Sequence, residues 1–257
     1  MDPYQGFSSL IAIIETAVSS ALSTNPTPAR GELFSATWKL VGNNLEAHQL
    51  LPNGNLFCDT QLTKNELLLL LIIQIIRRQG FDSYPIIHLS NKKIFEELGR
   101  LNGSATICGV HTGFAFLPSI MAQFNRKISI ISSDESIRDT LTRSGPSGNI
   151  EVIPSDLFSF IRLRDSMTKG NLCVCSVDYS DGKKFRYISP SLFEFSIQNG
   201  FSIYFFKSEV NSDGSVSVDL LKSQHDKDLY KSAAEFIYYI TLNQNPKREL
   251  SIKHITD

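Results

Sequence analysis

A chain of 257 residues, 42% hydrophobic and with a formal net charge of −1, has enough apolar material for a full core and reads as an ordinary globular protein. Its 25 Lys and Arg are balanced by 26 Asp and Glu with no basic run, so it lacks the clustered cations that displace counterions from a nucleic acid, and nucleic-acid binding is set aside. The cysteines Cys58, Cys108, Cys173 and Cys175 match no zinc spacing; no metal site is expected, and buried free thiols in a reducing, cytoplasmic compartment are the simplest reading.

The opening "MDPYQGFSSLIAIIETAVSSAL" has no basic stretch ahead of its apolar residues and does not read as a secretory signal. Leu10, Ile13, Ile14 and Val18 recur at helical spacing instead. A Pro-rich turn, "STNPTPARG", is followed by "ELFSATWKLV" and "NLEAHQLL" around "GNN", which suit strands or a hairpin. Residues 1–60 are therefore expected to form a small N-terminal helical and hairpin layer. The most apolar run, "LLLLLIIQII" at 67–76, falls short of the roughly 20 residues a membrane span needs. Thr63 with Glu66 fits a capping box, Arg77 and Arg78 suit the negative C-terminal end, and Gly80 can terminate, so a core helix is expected. The other reading is a wall of an acyl tunnel or a lipid contact, and membrane contact is expected to be peripheral at most.

From residue 84 onward short apolar runs alternate with amphipathic segments. "YPIIHLS" precedes "NKKIFEELGRL", "ATICGV" precedes "TGFAFLPSIMAQF", "KISIISS" precedes "DESIRDTLTRSG", and "IEVIPS" precedes "DLFSFIRLRDSMTKG". "LCVCSVD" leads, after a loop, to "SPSLFEFSIQNG"; "FSIYFFKSEV" and "SVSVDLL" suggest an antiparallel pair around "NSDG", and "DKDLYKSAAEFIYYITLNQ" a last helix. This alternation predicts an α/β fold: a mostly parallel central sheet with helices on both faces, as one domain over 1–257 whose core spans 84–245.

Ligands of such sheets collect at the carboxyl ends of the strands. That rule puts His111, Ser132, Ser133, Asp134, Ser155, Asp156 and Asp178 on one rim, and only His111 among them is a base near neutral pH. At a helix start its ring feels the positive end of the dipole, which disfavours imidazolium and leaves a nitrogen free to take a proton. The alternative is a histidine that merely closes the helix start. Thr112 and Gly113 leave room for a substrate carbonyl, and Ser132 and Ser133 offer hydroxyls, although no G-x-S-x-G elbow surrounds them. Asp178 ends an apolar strand as an orienting carboxylate or, alternatively, as a turn residue paired with "SDGKK". Cys173 and Cys175 share one strand face, where packing is favoured over a redox pair.

"CGVHTGFAFLPSIMAQFNRKISIIS" resembles the first block of the lysophospholipid acyltransferase superfamily, closest to its lipid A biosynthesis (lauroyl/myristoyl) branch: a strand, a histidine with a small-residue turn, a helix and a second strand. The resemblance continues through "GNLCVCSVDYSDGKKFRYISPSLFEFSIQNGFSIYFFKSEVNSDGSVSVDL", covering about residues 105–240. It implies an acyltransferase-like fold and an enzyme of lipid or secondary-metabolite biosynthesis. Its co-substrate would be an acyl thioester, on acyl carrier protein or CoA, with no other cofactor, and its acceptor a hydroxyl or amine, with His111 as general base. Lys183, Lys184 and Arg186 would then meet the phosphopantetheine or acidic surface of a carrier protein, the alternative being a solvated loop. Two positions depart from the family pattern. Four residues separate its histidine from an acidic partner, and here that position is Phe116; an arginine after the next strand is replaced by "ISSDES". The branch's N-terminal anchor has no counterpart, which implies a soluble acceptor. Phe116 also opens a second function, a degenerate acyltransferase-fold module that binds an acyl chain, a carrier protein or a partner enzyme without turnover.

Overall fold

The computed structural model describes residues 3–29, 31–42, 44–51, 64–81, 83, 85–101, 103–110, 117–122, 124–132, 149–180, 186–241 and 250–252. The chain divides into two compact units, Met1–Leu89 with Ser208–Val218, and Ser90–Lys207 with Asp219–Asp257.

In the first unit α1 (Pro3–Thr24), α2 (Glu32–Val41), α3 (Leu45–Leu50) and α4 (Lys64–Arg78) pack on one another. The expected strands or hairpin over residues 32–51 are thus replaced by helices. In "ELFSATWKLV" the buried residues are Leu33, Phe34, Thr37, Trp38 and Val41, a spacing that recurs every three to four residues and lines one face of a helix. Asn44 caps α3, its side chain accepting from the Ala47 N–H at 3.1 Å. The apolar run at 67–76 lies in α4, with Leu68, Leu69, Ile72 and Ile76 buried; Thr63 of the suggested capping box lies outside the described residues. Gly80, at φ +86°, ends that helix, and its N–H donates to the Arg77 carbonyl at 2.9 Å. No helix among the described residues is long and apolar enough to cross a membrane.

The fold is α/β, as the alternating periods imply. Strands β1 (Ile87–Leu89), β2 (Ala105–Gly109), β3 (Ile128–Ser132), β4 (Ile150–Pro154), β5 (Leu172–Ser176), β8 (Ser202–Val210) and β9 (Val216–Lys222) make a seven-stranded sheet in the order β1-β9-β8-β2-β5-β3-β4. Strands β8, β2, β5, β3 and β4 run parallel, with Gly109 beside both Ser176 and Phe206, and Ser132 beside Pro154. The expected hairpin joins β8 to β9 and is closed by the Asn211 N–H donating to the Ser215 carbonyl at 2.8 Å; β1 lies parallel to β9. A second, three-stranded sheet, β10-β7-β6, replaces the expected loop after Asp178, with β6 at Asp178–Ser180, β7 at Arg186–Ile188 and β10 at Leu250–Ile252.

All five residues of β2 are buried, which requires cover on both sheet faces. On one face Cys108, Cys173, Ile203 and Phe205 pack against α7 (Ser159–Met167), α8 (Ser191–Asn199) and α9 (Leu229–Thr241) through Leu163, Met167, Phe193, Phe195, Phe236 and Tyr239. Phe205 meets Phe236 edge-on at 5.4 Å, the arrangement aromatic quadrupoles prefer. On the other face Tyr204 feels the charge of Glu97 in α5 (Lys92–Arg100), and Gly99 lies so close to Phe124 that a Cβ there would come within 2.7 Å of the ring. The short helix α6 (Leu117–Ala122) carries the connection from β2 to β3, which the right-handed crossover rule also puts on that second face. The helix expected from "DESIRDTLTRSG" lies outside the described residues.

Candidate active site at the carboxyl edge of the sheet

Gly109, Ser176, Ser132 and Pro154 end the parallel strands β2, β5, β3 and β4 along one edge. β5 overruns that edge: the Val177 N–H donates to the Gly109 carbonyl at 3.0 Å, and the Val177 carbonyl accepts from the Ser189 N–H at 2.7 Å. The next residue, Asp178, opens β6 opposite Ile188 and is only 4% exposed. A carboxylate is thus buried beside the end of β2, where Val110 leads to His111. Asp178 thus stands in a strand, whereas the alternative reading made it a turn residue paired with "SDGKK", of which residues 181–184 lie outside the described residues.

The edge opens between β5 and β3. Their ladder runs over Ile128 and Ser129 alone, against five paired positions between β3 and β4, so the two strands part toward their carboxyl ends. Burial follows the same gradient. Ile128, Ser129, Leu172, Cys173 and Val174 are buried, whereas Ile130, Ile131, Ser132, Cys175 and Ser176 are half-buried. β5 leads through β6 and β7 to α8 on one face of the sheet; the connection from β3 to β4 lies outside the described residues. Where the two strands part, the half-buried Ile130, Ile131 and Cys175 are apolar, and the carboxyl edge is where open α/β sheets take ligands.

Of the residues singled out in the sequence, Ser132 stands at this opening and Asp178 follows β5 two residues beyond its end. Ser132 ends β3, and its carbonyl accepts from the Ser155 N–H at 3.1 Å. Asp156 is engaged elsewhere: Arg162 holds it at 2.8 and 2.9 Å and the Phe158 N–H donates to it at 2.8 Å, which together keep its carboxyl below the usual range. It fixes the turn into α7. His111, Thr112, Gly113, Phe116, Ser133, Asp134, Lys183 and Lys184 lie outside the described residues; Arg186 is placed in β7 by its backbone alone.

Cys58 lies outside the described residues, and the three described cysteines are free thiols. Burial pushes Cys108 and Cys173 well up, and burial together with the Asp178 charge pushes Cys175 up to about 11, so no thiolate forms near neutral pH. Packing, not redox chemistry, is the role their position supports. Among the described residues no group of three His, Cys, Asp or Glu could hold a metal ion.

Two polar clusters escaped the sequence. Glu151 accepts from Ser166 at 2.5 Å, from Ser129 at 3.2 Å and from Asn171 at 3.3 Å. The Arg126 guanidinium donates to the carbonyls of Leu101, Gly103 and Gly170. Both lie at the amino ends of the strands, where they tie α7 and the interstrand turns together. The serine interrupting the apolar run "KISIIS" was the one signal available. No protein-family model and no curated protein matches the chain.

Proposed function

We propose that this chain is an acyltransferase that moves an acyl group from a thioester on acyl carrier protein or CoA to a hydroxyl or amine in the cytoplasm, in lipid or secondary-metabolite biosynthesis. The observation that carries the reading is the buried Asp178 carboxylate beside the end of β2, one residue from the start of the segment that holds His111. An acid supplied by β6 takes the place of the one that Phe116 lacks. His111 accepts the acceptor's proton, the acceptor's oxygen or nitrogen bonds to the acyl carbon, the carbon–sulfur bond breaks, and the leaving thiolate takes the proton from imidazolium. Asp178 orients the ring and stabilises its charged form. The half-buried Ile130 and Ile131 offer apolar cover for the acyl chain, Thr112, Gly113, Ser132 and Ser133 flank the carbonyl, and Lys183, Lys184 and Arg186 meet the donor's phosphate. The resemblance to the lipid A acyltransferase branch points to the same chemistry.

The test is thiol release from acyl-CoA and acyl carrier protein with hydroxyl and amine acceptors. His111→Ala is expected to cut the rate by roughly two orders of magnitude while donor binding survives. A wild-type chain that binds acyl carriers and releases no thiol with any acceptor would instead be the non-catalytic binding module that Phe116 suggests.

A further inference from the structure

Four large apolar side chains crowd the turn after β4 and the first turn of α7: Leu157 is 98% exposed, Phe158 58%, Phe160 40% and Ile161 50%. No other stretch of the described residues exposes large apolar side chains so densely. Apolar groups stay in water at a cost in free energy, and a clustered exposure of this kind marks a contact surface. The crest belongs to the carboxyl edge of the sheet, because β4 ends at Pro154 and the Ser155 N–H is held by the Ser132 carbonyl. It is rigidly mounted: Asp156 and Ser159 fix the turn, and the Phe160 ring lies 5.1 Å from Phe195 in α8.

We infer that Leu157, Phe158, Phe160 and Ile161 form a docking element that inserts into the interface of an anionic lipid bilayer, with the carboxyl edge of the sheet turned toward the lipid. Three features select that occupant. At 98% exposure Leu157 is covered by none of the described residues, so among them the crest is a projection, suited to a deformable lipid interface more than to a partner that would need a matching pocket. Aromatic side chains bury about 150–250 Å² each when fully covered, so these four partly exposed groups offer on the order of 400 Å². That is about half of the ~800 Å² per partner that a stable dimer buries. Charge completes the match. Residues 155–170 carry Arg162, Arg164 and Lys169 against Asp156 and Asp165; Arg162 pairs with Asp156 at 2.8 Å and Arg164 with Asp165 at 4.0 Å, which leaves the segment one positive charge in excess. Arg164 sits one helical turn behind Phe160 with its side chain 54% exposed, at the level where lipid phosphates would lie. The inference stands whether or not the chain transfers acyl groups.

Flotation of the full chain with vesicles tests it. The wild type is expected to float with phosphatidylcholine–phosphatidylglycerol vesicles, and more weakly with phosphatidylcholine alone. Leu157→Asp with Ile161→Asp should lower the floated fraction by about tenfold or more at an unchanged circular dichroism spectrum, since both side chains are solvent-facing. Arg164→Glu should weaken binding to the anionic vesicles only. A wild type that stays with the vesicle-free protein, or a double variant that floats equally well, overturns the inference. So does a wild-type dimer on size-exclusion chromatography that the double variant converts to monomer without vesicle binding, because a second copy would then be the occupant.

Discussion

Gly214 turns the β8–β9 hairpin at φ +80°, and a Cβ there would overlap the Trp38 ring, whose indole N–H donates to the Ser212 carbonyl at 3.1 Å. Backbone strain and a clash with a buried aromatic act together, so Gly214→Ala should destabilise by about 2–4 kcal/mol, read as a lowered denaturation midpoint at unchanged m. Glu151 shows how a partly buried carboxylate can be stabilising. Burial alone would raise its pKa, but the hydrogen bond from Ser166, the charge of Lys127 and the hydrogen bond from Ser129 outweigh burial and leave it below its usual 4.5. A folded-state pKa below the unfolded one means that the unfolded chain takes the proton first. The carboxylate's contribution is therefore full above about 4.5 and is lost as pH falls through the lowered value. Denaturation of wild type and Glu151→Gln at pH 7 and pH 3 should show a stability gap that shrinks at the lower pH; a gap that widens would contradict this role.

At the scale of elements, α9 is held to the sheet by Phe236, which meets Phe205 at 5.4 Å and Phe193 at 5.8 Å. Phe236→Ala removes a fully buried ring from that cluster and should cost about 3–5 kcal/mol in chemical denaturation. The parallel strands were legible because strands covered on both faces, such as "ATICG", read as short unbroken apolar runs. Residues 32–51 misled because local alternation around Trp38 obscured a longer period, visible only once Leu33, Phe34, Thr37, Trp38 and Val41 are seen to share a face. Strands β6, β7 and β10 are three residues each, too short for a period-two pattern, and β10 joins β7 from the far end of the chain. For the same reason Asp178 was legible as a strand-end acid but not as a buried one. "LFSFI" carries no sign in its letters of whether it faces core or solvent; only the fold distinguishes them.

Over the whole molecule, the carboxyl edge of the large sheet gathers the opening between β5 and β3, the buried Asp178 and the apolar crest before α7, while the amino edge carries the Glu151 and Arg126 clusters that hold strands and turns together. That division is what a scaffold with one working edge needs: rigidity at one end of the strands, chemistry at the other. The central claim is that Asp178 and His111 act as one unit in acyl transfer. A double-mutant cycle on thiol release, with Asp178→Asn, His111→Ala and both together, measures this directly. The expected result is that Asp178→Asn alone lowers kcat/KM by roughly two orders of magnitude or more and that the double variant is about as slow as His111→Ala, because a carboxylate that acts through the imidazole has nothing to orient once the imidazole is gone. Losses that simply multiply, or an Asp178→Asn chain as active as the wild type, would contradict it.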